Sequence, residues 1–171
     1  ANVRHTLKQG NGSYTPIFLS DMGKFMSKGD LKIDVVLIQV STPDQHGFVS
    51  LGTSIENLKS AISSAKVVIA QVNRNMPRTF GDSFLHVSDI HFLVEHHSPM
   101  YTLEMGIPSE EETKIGSYIA ELIEDKSCLQ MGIGSIPNVV LSNLKNHKGL
   151  GIHTEMFSDG IIPLVKSGVI T

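Results

Sequence analysis

At 171 residues the chain has room for one ordinary domain or for parts of two. Hydrophobic residues make up 40% and charged residues 18%, a globular composition able to bury a core. The net charge of −3 and the lack of any long basic run exclude a nucleic-acid footprint, which needs clustered Lys and Arg. No segment approaches the length that spans a bilayer; the best apolar runs are residues 35–40 and 67–72. The single cysteine, Cys128, rules out an internal disulfide and fits a reducing, cytoplasmic compartment. The chain opens on Ala1 without Met and stops at Thr171 directly after an apolar segment, so either end is expected to be a cut inside a longer polypeptide.

Residues 15–28 place Phe18, Met22, Phe25 and Met26 near helical spacing, with Gly29 as a stop. Residues 34–40 form a continuous apolar run rich in β-branched side chains, which predicts a buried strand. Pro43, Asp44 and Gly47 then predict a loop. Residues 54–65 read as a helix with Ile55, Leu58 and Ile62 on one stripe, and residues 66–72 as a second buried strand. Strand, helix, strand at these lengths is the βαβ pattern of an α/β sheet. A turn-rich loop, residues 73–82, leads to two short β-like segments between Phe84 and Val94, interrupted near Ser88 and Asp89.

Residues 99–108 read as a connector, and the βα pattern restarts beyond it. Ser109 followed by Glu112 is a capping box, and three acids in that first turn suit the positive end of a helix running to about Asp125. A strand (127–131), a Gly-rich turn (132–135), a helix (136–145), a strand (150–154) and a helix (161–167) complete the order.

Gln130-Met-Gly-Ile-Gly-Ser-Ile-Pro137 thus lies between strand and helix. Two glycines admit close backbone approach, and free N–H groups at a helix start can receive a phosphate or an oxyanion. A plain βα turn without a ligand explains the pattern equally well. The dinucleotide fingerprint is a rival, because Glu155 follows at about the right distance on a strand end, but Pro137 stands where Gly or Ala belongs. Polar residues His153, Thr154, Glu155, Ser158 and Asp159 crowd the end of the next strand, the ligand-binding end of open α/β sheets. A surface carboxylate or a helix N-cap acid is the ordinary reading of Glu155.

His86, Asp89, His91, Glu95, His96 and His97 suggest a metal cluster by type alone. They lack H-E-x-x-H spacing, and strand alternation splits them between faces, so no metal site is expected. Asp44 and His46 read as loop-shaping, with His46 also a candidate for a substrate contact. Asn75, Met76 and Pro77 follow a buried strand and can line an acyl pocket, although a plain loop accounts for them nearly as well. Cys128 reads as an inert core thiol.

The stretch Gln130–Asn138, with Leu150-Gly-Ile-His-Thr-Glu-Met-Phe-Ser-Asp-Gly160, resembles the acetyl-CoA hydrolase/transferase group of family I CoA-transferases, nearest to the 4-hydroxybutyrate CoA-transferases. Ser41-Thr-Pro-Asp-Gln-His-Gly-Phe48, Ser50-Leu-Gly52 and Asn75-Met-Pro-Arg-Thr-Phe-Gly-Asp82 are similar to that family's loops, with Phe48 where Tyr is more familiar. The resemblance implies an α/β fold of CoA-transferase-type open sheets flanked by helices, in a protein more than twice this length. Residues 1–105 would be the second half of its N-terminal domain. Residues 106–171 would be a linker helix and the start of the C-terminal catalytic domain. It implies Glu155 as nucleophile, with Gln130, Gly132, Ile133 and Gly134 around the reacting carbonyl and CoA. Coenzyme A would be a substrate rather than a permanently bound cofactor. The partners implied are an acyl-CoA and a short-chain carboxylate, in a homo-oligomer. Hydrolysis of acetyl-CoA by the same glutamate is the alternative, and a dinucleotide-binding module the third reading.

Overall fold

The computed structural model of the protein describes residues 3–103 and 106–171. The chain divides into two compact units, Ala1–Tyr101 and Thr102–Thr171.

The first unit carries helices α1 (Arg4–Lys8) and α2 (Leu19–Ser27), strands β1 (Val35–Val40) and β2 (Phe48–Ser50), helix α3 (Leu58–Ser64), and strands β3 (Val67–Val72), β4 (Phe84–His86) and β5 (Phe92–Glu95). β1, β3 and β5 form a parallel sheet in the order β1-β3-β5, with Val35 opposite Val67 and Ile69 opposite Phe92. The βαβ expectation holds, and the predicted interruption between β4 and β5 is a 3-10 turn at Val87–Asp89. Val36, Ile38 and Val40 of β1 and Val68, Ala70 and Val72 of β3 are buried, with Met26, Leu58 and Ile62 of α2 and α3 packed against that cluster.

Two expectations fail here. β1 is not buried on both faces: Leu37 is 73% exposed, because α2 and α3 cover one side and alternation sends Val35 and Leu37 to the other. The residues after the Asp44 loop are not loop alone. β2 pairs antiparallel with β4, Val49 opposite Leu85, and the buried Ser50 hydroxyl accepts the N–H groups of Gly52 (3.1 Å) and Thr79 (3.1 Å). The helix expected over 54–65 is shorter, and α1 had no sequence signal of its own.

The second unit carries α4 (Glu110–Glu121), β6 (Cys128–Leu129), α5 (Ser135–Asn143), β7 (Gly151–Ile152) and α6 (Ile161–Lys166). The capping box forms as read: the Ser109 hydroxyl accepts the Glu112 N–H (3.2 Å) and the Glu112 carboxylate accepts the Ser109 N–H (2.8 Å). α4 ends at Glu121 rather than near Asp125. Leu141, Leu144, Leu150 and Ile161 centre the core, each worth roughly 1.5–3 kcal/mol of burial. Cys128 is the clear correction: its side chain is exposed, because it stands on the face of β6 turned away from that core.

Candidate active site

The second unit's site is built by strand register. β6 and β7 are parallel, with Cys128 opposite Gly151 and Leu129 opposite Ile152. Ser127 O accepts from Gly151 N (2.9 Å) and Leu129 O from His153 N (3.0 Å). Where the ladder ends, a side chain continues it. The Thr154 hydroxyl accepts the Met131 N–H at 3.0 Å, and its own proton has Met131 O (3.1 Å) and Met156 O (3.0 Å) to choose between. Met131 is therefore locked to Thr154, and the next residue on each side is Gly132 and Glu155.

Alternation then sorts the side chains. Leu129, Met131 and Ile152 pack on the core, and alternation sends Cys128 to the opposite face, while Gln130, His153 and Glu155 lie just beyond the two-residue strands. All four are exposed, and the Glu155 carboxylate makes no hydrogen bond or ion pair among the described residues. The turn after Gly132 is exposed as well. Gly134 has φ 142° and ψ −179°, a conformation essentially reserved for glycine, and serves as the start of α5. Pro137 falls in the first turn of α5, where a missing N–H leaves no bond unmade. An apolar cleft of about 210 Å3 runs between α4 and α5, past Ile119, Ile123 and Val140, and reaches Gln130 and Gly132. It was invisible in the sequence, because it depends on how two helices pack. Thr154 was visible only as one polar residue among several at a strand end.

The residues singled out in the first unit are arranged differently. Met76 is buried, so of that set Asn75 and Pro77 keep exposed surface. The Asn75 amide donates to Ser98 O at 2.8 Å beside Asn73, which is fully buried and donates to Gln39 Oε1 (2.8 Å) and Ser98 O (2.9 Å). His46 is exposed: its N–H donates to Asp44 Oδ1 (2.9 Å), its carbonyl faces His86 Nε2 (3.2 Å), and its ring Nε2 lies 3.1 Å from Gln45 Nε2. Of the other histidines singled out, His86, His91 and His97 have engaged rings, His86 Nδ1 lying 2.7 Å from the Ser88 hydroxyl. His91 Nδ1 accepts the Val68 N–H (3.1 Å), His97 Nδ1 accepts that of Arg74 (3.3 Å), and His97 Nε2 lies 3.1 Å from Glu95. Among the described residues, no group of three or more His, Cys, Asp or Glu is placed to hold a metal ion.

Asp44 organises its loop by accepting the N–H groups of His46 and Phe48 and pairing with Arg78 at 2.6 Å. The Phe48 N–H holds its carboxyl below the ordinary value, aided by the His46 N–H and Arg78 and opposed by partial desolvation. A depressed carboxyl contributes stability above its unfolded pKa of about 4, and that stability is lost as pH falls through the lower folded value. Asp44→Asn in the full-length protein should therefore melt below wild type at pH 7, with the gap closing below about pH 4. A gap that stays constant down to pH 3 would contradict this.

The acetyl-CoA hydrolase/transferase N-terminal domain matches residues 1–103. Over 168 residues the chain is 50% identical to the 4-hydroxybutyrate coenzyme A transferase of Clostridium kluyveri, covering 98% of this chain and 39% of that protein. It is 46% identical to a succinyl-CoA:acetate/propanoyl-CoA:succinate CoA transferase of Fasciola hepatica, covering 99% of this chain and 36% of that protein. The crystal structure of RipA from Yersinia pestis superposes with a TM-score of 0.90 at 34% identity, over 99% of this chain and 40% of that one. The chain thus spans roughly two-fifths of the length of the curated relatives it matches. Its open α/β sheets are those of solved relatives of this kind, and the chain belongs to the acetyl-CoA hydrolase/transferase family.

Proposed function

We propose that the protein is a CoA-transferase that moves coenzyme A from a short-chain acyl-CoA, such as acetyl-, butyryl- or 4-hydroxybutyryl-CoA, to a carboxylate acceptor. The observation that carries this is the register at the end of the β6–β7 pair. The Met131–Thr154 hydrogen bonds tie together the two chain segments that leave the paired strands, one residue before Gly132 and one before Glu155. On this reading one acyl carbon meets both the Glu155 carboxylate and the glycine amides.

The chemistry follows from that pairing. The Glu155 carboxylate attacks the thioester carbonyl, the C–S bond breaks, and CoA thiolate leaves a mixed anhydride. The thiolate then attacks the glutamyl carbonyl, releasing the first acid and leaving a glutamyl–CoA thioester. An acceptor carboxylate reverses both steps. Each tetrahedral intermediate places negative charge on an oxygen that the Gly132–Gly134 amides can receive, and one such donor is worth about 3 kcal/mol. Gln130 borders the Gly132 side of the site, with Ile133 between the glycines. On this reading CoA is a substrate, and no cofactor is permanently bound.

In the complete protein, a cytoplasmic homo-oligomer, residues 1–105 form the second half of an N-terminal domain. Residues 106–171 then supply the linker helix and the start of the catalytic domain. Among the described residues no helix is long and apolar enough to cross a membrane. Within the first unit, Asn75, Pro77 and His46 are exposed and are the candidates for a substrate contact, whereas Met76 is buried.

A covalent CoA–enzyme intermediate predicts ping-pong kinetics. In the full-length enzyme, initial rates at several fixed acceptor concentrations should give parallel double-reciprocal lines. Intersecting lines would overturn the scheme. Acyl-CoA lost equally fast with the acceptor omitted would instead make water the acceptor and the enzyme a hydrolase.

A further inference from the structure

We infer that Glu112 is a positioning residue for the Gly132–Gly134 turn, acting through Ser135. α5 begins without the usual means of holding its first turn. Its N-cap, Gly134, has no side chain to offer, and no acid stands in its first turn. The missing carboxylate comes from the neighbouring helix. Glu112 Oε1 accepts a hydrogen bond from the Ser135 hydroxyl, while Oε2 accepts the Ser109 N–H at 2.8 Å. One side chain therefore closes the capping box of α4 and grips the first residue of α5.

A second contact fixes the same register. Gly116, one turn beyond Glu112, faces Val139, one turn beyond Ser135: a Cβ built on Gly116 would stand 2.4 Å from Val139 Cγ1. The helices are thus in close contact one turn after the carboxylate, and Glu112 reaches Ser135 without having to extend toward a mobile target. The bond is charge-assisted. The Ser135 hydroxyl and then the Ser109 N–H hold the Glu112 carboxyl below its ordinary pKa, so it is ionised at neutral pH.

What this does for the site follows from what the turn lacks. Gly132, Ile133 and Gly134 are all exposed, and nothing nearer than Pro137 Cδ at 3.9 Å would meet a side chain on Gly134. Packing does not hold those amides in place, so their aim is set from their ends. Met131 is tied to Thr154 at one end, and Ser135 to Glu112 at the other. A misplacement of about 1 Å at a reacting centre costs on the order of 100-fold. Both Glu112 oxygens are engaged, which suits a positioning role and not a nucleophilic one.

The inference rests on the CoA-transfer reading, and its test is arranged to separate the two. In the full-length enzyme, Ser135→Ala and Glu112→Ala should each lower kcat about 10- to 100-fold, with KM for acyl-CoA changed less than about threefold. In kcat the double variant should be no worse than Glu112→Ala, because the Glu112–Ser135 bond is already absent in each single variant. Glu112→Gln can still accept from the Ser109 N–H and donate to the Ser135 oxygen, so it should recover most of kcat. Ser109→Ala weakens the cap of α4 but leaves the Glu112–Ser135 bond, so it should lower the melting temperature and spare kcat. Wild-type kcat in Ser135→Ala, multiplying losses in the double variant, or an equal loss in Ser109→Ala would each overturn the inference. If Glu155→Ala is inactive while Ser135→Ala is wild type, only this inference fails. If Glu155→Ala stays active, the underlying reading fails.

Discussion

Glu155→Ala in the full-length enzyme should abolish CoA transfer while leaving the fold intact. The carboxylate is exposed and makes no hydrogen bond or ion pair among the described residues, so its loss creates neither a cavity nor an unpaired partner. Loss of a nucleophile that forms the covalent intermediate costs on the order of 10⁴-fold or more. Glu155→Asp should fail almost as badly, because one missing methylene withdraws the carboxylate by more than the roughly 1 Å that a near-attack geometry tolerates.

Chemical trapping identifies the residue directly. Wild type incubated with acyl-CoA and then borohydride should carry a reduced glutamyl thioester, seen as a mass change on the peptide containing Glu155. Nearby acids are poor substitutes. Asp159 lies in the turn before α6, Glu121 is the last residue of α4, Glu124 follows that helix, and Glu112 has both oxygens occupied. Near-normal turnover in Glu155→Ala, or a label on another carboxylate, would refute the proposed mechanism.

What the sequence made legible was local. Ser109 and Glu112 sit three residues apart, so their reciprocal bonds could be read from spacing alone. β1 and β3 were visible as β-branched runs, and their pairing followed from the length of the helix between them. What escaped depends on partners distant in sequence. β2 is three residues long and becomes a strand only because β4 returns to it. Cys128 looked like a core thiol because its neighbours are apolar. In a two-residue strand the face decides, and register puts Cys128 beside Gly151, on the side away from Leu129 and Ile152. The Thr154 hydroxyl's tie to Met131, next to Gly132 and Glu155 in the chain, was likewise out of reach of the sequence. The Glu112–Ser135 bond spans 23 residues and needed the helix contact to be seen.

That helix contact carries the second large effect. An ordinary helix-interior Gly→Ala gains about 1 kcal/mol, yet Gly116→Ala should destabilise. Its Cβ would lie 2.4 Å from Val139 Cγ1, 2.6 Å from Val139 Cβ and 3.2 Å from the Val140 backbone nitrogen. A change of Val139 rotamer moves the first of these and neither of the others, so relief requires α4 to move away from α5. Overpacking of this kind costs roughly 1–3 kcal/mol, enough to reverse the propensity gain, and Gly116→Val should cost more. Moving α4 also carries Glu112 away from Ser135, so transferase activity should fall together with the melting temperature. Val139→Ala in the same chain removes the γ-carbon clash but leaves the Cβ contact at 2.6 Å, so it should restore only part of the loss. Melting curves of the full-length wild type, both single variants and the double variant check all of this. A higher melting temperature in Gly116→Ala would mean that the helices have room to spare, and the close α4–α5 contact that holds Glu112 against Ser135 would have to be given up.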